Sequence, residues 1–122
     1  MKVFISQPMR GKTEEQIQEE RKKAIARLEK MSKVEVEIID SYFEDYEPEG
    51  GSIPLKYLGE SLKVMADADL VAFLGGWQNN RGCRIERNCC YEYNLPITDI
   101  LQYPNDLYEI DVIDEKIVIR RI

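Results

Sequence analysis

Histidine is absent from this chain of 122 residues, and cysteine and tryptophan are scarce. Without histidine, no imidazole can serve as an acid–base group or as a metal ligand. The three cysteines, Cys83, Cys89 and Cys90, match no zinc-binding spacing, and their odd number argues against a disulfide framework. We therefore expect no metal site, and we expect Cys89 and Cys90 to pack in the core as small apolar side chains.

Long apolar runs and an excess of positive charge are also missing. No apolar run approaches the roughly 20 residues that a membrane-spanning helix needs, and residues 1–6 look like a strand rather than a secretory signal. The net charge of −6 suits a nucleic-acid backbone poorly as a partner. We expect a cytoplasmic protein that binds neither membranes nor nucleic acids.

The order of the periodic segments predicts an α/β fold. A content of 43% apolar and 33% charged residues is typical of a soluble globular domain, and we expect one domain over residues 1–122. Short apolar runs alternate with helical patterns in the order β-α-β-α-β-α-β. This order predicts a flavodoxin- or Rossmann-like three-layer α/β/α sandwich with a mainly parallel sheet of four to five strands.

The predicted strands have different expected places in the sheet. They cover residues 2–6, 34–40, 70–74 and 95–100, and we expect the first, third and fourth to be inner strands and the second to lie nearer an edge. The acidic and aromatic stretch 41–53 is long for a loop in so small a domain, and loops of this kind often form lids. Alternation after residue 108 predicts either a terminal hairpin or one strand preceded by an irregular piece.

Residues 69–86 carry the pattern of a ligand site. An apolar strand stops at Gly75-Gly76, a polar loop follows, and a helix begins near Gly82. In open α/β sheets, ligands lie beyond the carboxyl ends of the strands and near helix N-termini. Glu86 falls in the first turn of the predicted helix. There it is either an acid stabilised by the helix dipole or a nucleophile or acid–base group.

The loops after the first and third strands should face each other across one crevice. Each candidate contact there has a plainer alternative: an arginine can bind an anion or pair with a nearby acid, Trp77 can stack on a flat ring or cover the core, and a glycine can simply serve a turn. The candidate substrate contacts from these loops are Gln7, Met9, Arg10, Gly11, Gly76, Trp77, Asn80, Arg81, Gly82 and Arg84.

Three stretches resemble the nucleoside 2-deoxyribosyltransferase-like superfamily. They are the opening Val3-Phe-Ile-Ser-Gln-Pro-Met-Arg-Gly11, the strand start Asp69-Leu-Val and the helix start Gly82-Cys-Arg-Ile-Glu86. The resemblance covers residues 1 to about 100. It is closest to a small uncharacterised bacterial and phage branch, similar to domain of unknown function 4406. It implies a flavodoxin-like fold, no metal or redox cofactor, and homodimers or higher oligomers.

The resemblance also implies a chemistry. Glu86 would attack the anomeric carbon of a nucleoside and form a covalent glycosyl-enzyme intermediate, which a second base or water then resolves. Two positions depart from the family pattern. The family's Asp, eight residues before Asp69, is replaced by Ser61 with Glu60 beside it, and an acid six residues before Glu86 is replaced by Asn80. Ser61 cannot supply a proton near neutral pH, and Glu60 could replace it only if the helix turned Glu60 inward. Asn80 can hydrogen-bond a sugar hydroxyl but cannot act as a base.

We therefore expect a nucleoside or nucleotide N-glycosidase or 2-deoxyribosyltransferase-like enzyme. The sugar would be positioned by Asn80, Ser61 and Gln7. Any phosphate would be held by Arg10, Arg81 or Arg84, and the base would stack on Trp77. The alternative is a non-catalytic nucleotide-binding or sensing module on the same scaffold, which needs no acid partner. A structural or interaction protein that binds no ligand is the third possibility.

Overall fold

The computed structural model describes residues 1–41, 43, 45–100 and 108–122. Positions 42 and 44 of the predicted 41–53 loop lie outside the described residues, as does the connection 101–107. In chain order the elements are β1 (Lys2–Ser6), α1 (Glu14–Met31), β2 (Glu37–Ile39), α2 (Ile53–Met65), β3 (Leu70–Leu74), a short 3-10 turn (Trp77–Asn79), α3 (Arg81–Glu92), β4 (Ile97–Ile100), β5 (Tyr108–Ile113) and β6 (Lys116–Arg121).

The first four strands form one parallel sheet in the order β2-β1-β3-β4. All five residues of β3 are buried, as its uninterrupted apolar run predicts for a central strand. The prediction that the second strand lies at an edge is confirmed. The prediction that the fourth strand is an inner one was wrong for the described strands, because β5 and β6 pair with each other and leave β4 at an edge.

Alternate side chains of β1 belong to two separate apolar clusters. Val3 and Ile5 pack with Leu28 of α1, whereas Phe4 packs with Met65 of α2 and with residues of β3 and α3. This division follows from the strand period of two, which sends successive side chains to opposite faces of a sheet. Both faces of the central strands are therefore covered by apolar side chains from helices.

Side-chain caps begin α1 and α2. Thr13 and Gln16 form a reciprocal capping box at the start of α1. Ser52 caps α2, and Pro54 occupies the first turn, where a missing backbone N–H costs nothing. None of the helices in the described residues is long and apolar enough to cross a membrane.

The last two strands form an antiparallel hairpin, which decides between the two predictions for the tail. Asp114 and Glu115 make its turn with positive φ angles of 52° and 66°. Ile110 of β5 is fully buried in the cluster that contains Leu28, and its carbonyl accepts a hydrogen bond from the Lys33 amide at 2.8 Å. The hairpin is thus attached beside the C-terminal end of α1.

The strand order is consistent with a Rossmann-like α/β fold and equals the first four strands of the flavodoxin-like order. The order reverses between β1 and β3, since the chain continues from β1 to β2 on one side and from β3 to β4 on the other. Connections that diverge in this way leave a crevice beyond the carboxyl ends of the two central strands. The loops predicted to face each other begin at this crevice.

Candidate active site

A buried hydrogen bond between Ser6 and Glu86 lies at the carboxyl end of β1, where the fold rule places the crevice. Ser6 is the last residue of β1 and is 1% exposed, and its Oγ donates to Oε1 of Glu86 at 3.0 Å. Glu86 is itself only 6% exposed. Because α3 begins at Arg81, one residue before the predicted start, Glu86 is the sixth helical residue and lies beyond the first turn. Its burial is unlike that of a surface acid serving the helix dipole.

Burial raises the pKa of Glu86 from its ordinary value of 4.5 to about 7, and the hydrogen bond from Ser6 opposes part of this effect. A carboxylate that leaves water loses hydration, which favours the neutral acid. Both protonation states of Glu86 are therefore populated near neutral pH. A carboxyl group with this property is suited to acid–base or nucleophilic chemistry.

Cys83 lies one helical turn before Glu86 and interacts with the same serine. It is 2% exposed, and burial raises the pKa of its thiol to about 11, so the thiol is neutral. Ser6 and Lys12 act in the opposite direction on this pKa, which places the Lys12 ammonium within electrostatic range of the thiol. A neutral buried thiol is a poor nucleophile, and Cys83 therefore belongs to the surroundings of Glu86.

Asn80 begins α3 through its side chain. Its Oδ1 accepts a hydrogen bond from the Cys83 amide at 2.9 Å, which is the geometry of a helix N-cap. A Cβ on Gly82 would lie 3.4 Å from that oxygen, so glycine leaves space beside the cap. Gly76 has a φ of +89°, and a Cβ there would lie 3.8 Å from Pro8. The two loops therefore approach each other at Pro8 and Gly76.

Trp77 packs against Arg87, a residue that sequence reasoning did not select. The Arg87 guanidinium lies 4.0 Å from the Trp77 ring centroid and donates to Asp99 Oδ1 at 2.7 Å. Trp77 also packs edge-on against Phe73, with 6.1 Å between the ring centroids, and it contacts the apolar cluster beneath α2 and α3. Trp77 thus covers the end of the core, and one of its faces carries a guanidinium.

The arginines chosen as anion contacts are exposed. Arg10 lies in the β1–α1 loop, Arg81 is the first residue of α3, and Arg84 donates from Nη1 to the Gln78 carbonyl at 3.1 Å. Within the described part of the chain, none of the three forms a salt bridge. In the same β1–α1 loop, Met9 is half-buried and Gly11 is exposed with a φ of +79°.

Gln7 and Ser61 are placed differently from each other. Gln7 is buried, and its Nε2 donates to the Ile17 carbonyl of α1 at 2.7 Å while its Oε1 is buried without a partner. Ser61 is half-buried on α2, and so is Glu60. Neither Ser61 nor Glu60 hydrogen-bonds to Glu86 in the described structure. Among the described residues, α2 therefore supplies no acidic hydrogen-bond partner to Glu86.

A protein-family model matches most of the chain. The model for a domain of unknown function (DUF4406) matches residues 1–99. The chain belongs to the DUF4406 family. This match spans β1 through nearly all of β4 and includes Ser6, Cys83 and Glu86, whereas the hairpin lies beyond it. No curated protein and no solved structure matches the chain.

The cysteines of this DUF4406 protein are free thiols. Cys90 is buried beneath α3, as predicted, whereas Cys89 is half-buried beside the same cluster. Cys83 is the most closely tied to the site. No group of three metal-binding side chains of the His, Cys, Asp or Glu type occurs in the described residues.

Sequence reasoning missed Ser6 and Cys83 in the DUF4406 site. A signal for Ser6 exists, because it is the one polar residue that ends a buried apolar strand at the carboxyl edge of the sheet. No sequence signal marks Cys83, because its approach to Ser6 depends on how α3 is oriented against the sheet. The chemical content of the site is one buried carboxyl group, one hydroxyl donor and one neutral thiol beneath two loops that meet.

Proposed function

We propose that this chain is a nucleoside or nucleotide N-glycosidase, or a 2-deoxyribosyltransferase-like enzyme, with Glu86 as its nucleophile. One observation carries the proposal. A carboxyl group that is 6% exposed, and whose hydrogen-bond partner among the described residues is a serine hydroxyl, lies at the carboxyl end of β1, where ligands of such sheets bind. A carboxyl group buried without a cation partner is costly for folding, which favours a chemical role.

The reaction proceeds in two displacements. A carboxylate oxygen of Glu86 attacks the anomeric carbon, and the bond from that carbon to the base nitrogen breaks. The base leaves with the bonding electron pair and takes up a proton, which leaves an ester between the sugar and Glu86. Water or a second base then attacks the same carbon and releases the carboxylate. The negative charge of Glu86 also stabilises the oxocarbenium-like centre in both steps.

The surrounding loops supply the substrate contacts in this proposal. Arg10, Arg81 and Arg84 are exposed cations near the crevice, and a phosphate would be held by them together with the α3 N-terminus. The base would use the face of Trp77 that Arg87 leaves open. Asn80 reaches a sugar hydroxyl only with the amide nitrogen, because its Oδ1 caps α3.

The proposal extends to family, architecture and assembly. We place the DUF4406 chain in the nucleoside 2-deoxyribosyltransferase-like superfamily, with three layers in which α1 covers one sheet face and α2 and α3 the other. We also propose that it works in the cytoplasm, as a homodimer or higher oligomer, on a small-molecule substrate and without a metal or redox cofactor.

The test is release of free base from a panel of nucleosides and nucleoside monophosphates, ribo and deoxy, followed by chromatography. We expect base release by the wild type and by Glu92→Ala, which changes an exposed acid at the other end of α3. The Glu86→Ala variant should fold and release none. Base release by a folded Glu86→Ala protein at the wild-type rate contradicts the assignment.

A nucleotide-binding or sensing module is the second candidate, and two observations favour it. Asn80 is committed to the helix cap, and no acid from α2 contacts Glu86 in the described structure. Such a module binds a nucleotide in the same crevice without breaking it. A rise in melting temperature with one member of the panel, without release of base from any member, supports this candidate over the enzyme.

A further inference from the structure

We propose that Ser6 is the positioning residue of this site: its hydroxyl fixes Oε1 of Glu86 and leaves Oε2 to meet the anomeric carbon. The chemical part of this inference rests on the proposed function. The structural part, that Ser6 holds the Glu86 carboxylate, stands on the resting protein alone.

The hydroxyl is held on a rigid element. Ser6 is 1% exposed at the end of β1 and pairs in register with Phe73 of β3, so its backbone is fixed by the two central strands. Glu86 reaches it from α3, a separate element 80 residues later in the chain. A hydrogen bond of 3.0 Å between two buried groups on such supports restricts the rotation of the carboxyl group.

Cys83 lies close to the same Ser6 hydroxyl that donates to Glu86. The thiol and the carboxyl group approach the same Ser6 oxygen from successive turns of α3. A neutral thiol is a hydrogen donor, whereas a carboxylate can only accept. Ser6 has a single hydroxyl hydrogen, and the structure gives it to Glu86.

Few interactions other than the Ser6 hydrogen bond involve the charged form of Glu86. The titratable groups that act with it are Cys83 and Cys90, both on α3, and Lys12 of the β1–α1 loop acts on Cys83. Burial disfavours the carboxylate, and among the described residues the Ser6 hydrogen bond is what opposes this effect. Removal of the hydroxyl should therefore make Glu86 harder to ionise.

The experiment titrates Glu86 in the resting protein. The carbonyl stretch of the protonated carboxyl group is followed by infrared difference spectroscopy against Glu86→Gln, which lacks the titrating group. In Ser6→Ala we expect the midpoint to rise by about one pH unit or more, since a hydrogen bond to a charged group changes acid strength by about tenfold or more. Ser41→Ala, which removes a buried hydroxyl bonded to Arg21 instead, should leave the midpoint unchanged.

A matched pair of variants, Ser6→Thr and Ser6→Val, tests the proposal even if the alanine variant misfolds. Ser6→Thr keeps the hydroxyl and Ser6→Val replaces it by a methyl group of similar size. We expect a wild-type midpoint for threonine and a raised one for valine. Equal midpoints in Ser6→Ala and wild type, or in the Thr and Val variants, overturn the proposal.

Turnover separates this inference from the proposed function. If the wild type releases base, the pH profile of kcat/KM should shift upward in Ser6→Ala with the infrared midpoint and return in Ser6→Thr. A turnover profile that stays at the wild-type pH while the infrared midpoint moves overturns the positioning role in catalysis. Absence of base release by the wild type contradicts the proposed function and leaves the infrared comparison to decide whether Ser6 holds Glu86.

Discussion

Replacing Glu86 by glutamine should change how folding stability depends on pH. The pKa of Glu86 is raised from 4.5 to about 7 in the folded protein, so the folded state binds more protons than the unfolded state between these values. Stability must then fall as the pH rises through this window. Below the unfolded pKa the group is protonated in both states, and above about pH 7 the full cost of ionising it in the fold is present.

The magnitude follows from the same two pKa values. A difference from 4.5 to about 7 is worth about 3 kcal/mol, at about 1.4 kcal/mol per pH unit. Glutamine keeps the shape and can still accept the Ser6 hydroxyl, but it does not ionise. Any cost of its buried amide nitrogen is the same at every pH. The stability of Glu86→Gln relative to wild type should therefore rise by about 3 kcal/mol between pH 4.5 and pH 8.

Urea denaturation of both proteins across this pH range measures the effect. The other carboxyl groups are shared, so their contributions cancel in the difference between the two proteins. Glu92→Gln serves as the control, because Glu92 is exposed at the end of α3 and its difference from wild type should stay flat. A flat difference for Glu86→Gln, or wild type gaining relative stability as the pH rises, would refute the reasoning.

Two further substitutions test the surroundings of the site. Asn80→Ala should destabilise the fold by about 1 kcal/mol in urea denaturation, because it removes the α3 cap, whereas Asn80→Asp keeps an acceptor and should cost little; equal losses would contradict the cap. Arg87→Gln should cost about 1–2 kcal/mol and shift the emission of Trp77, the only tryptophan. Asp99→Asn removes only the ion pair between Arg87 and Asp99, whose side chain is 44% exposed. This variant should neither lose that much stability nor shift the emission of Trp77.

The parts of the fold predictable from sequence are those decided by local chemistry. The uninterrupted apolar run of β3 predicts a strand buried on both faces, and each of its residues is buried. The capping box at Thr13 and Gln16 fixes the start of α1. The cap satisfies backbone groups at the helix start, and the apolar run shows burial directly. Both signals lie in neighbouring residues, so neither depends on contacts far apart in sequence.

Strand neighbours were harder to predict, because they depend on contacts far apart in sequence. The apolar residues of β4 suit an inner strand, but an inner place also needs a partner on the far side. The next strands in the chain, β5 and β6, form backbone hydrogen bonds with each other across a two-residue turn. That local pairing leaves β4 at an edge among the described strands.

The place of Glu86 in the fold was more predictable than its contacts. The strand–loop–helix pattern places Glu86 at the crevice, and the structure brings it to the end of β1. Which way a side chain turns on its helix sets the remaining contacts. Arg87, one residue on, points to Trp77 rather than to the crevice, and Asn80 turns back to cap α3. A sequence read in one dimension does not give these directions.

The energetics of Glu86 connect the fold to the proposed chemistry. A glutamine or an apolar residue of similar size at this position would avoid about 3 kcal/mol of instability above pH 7, a large share of what holds a small domain together. No cation in the described contacts of Glu86 offsets that cost, and Ser6 offsets only part of it. The same burial keeps the carboxylate poorly hydrated, which strengthens its interaction with a developing positive centre. The group that weakens the fold is therefore the group to which the proposed function assigns the chemistry.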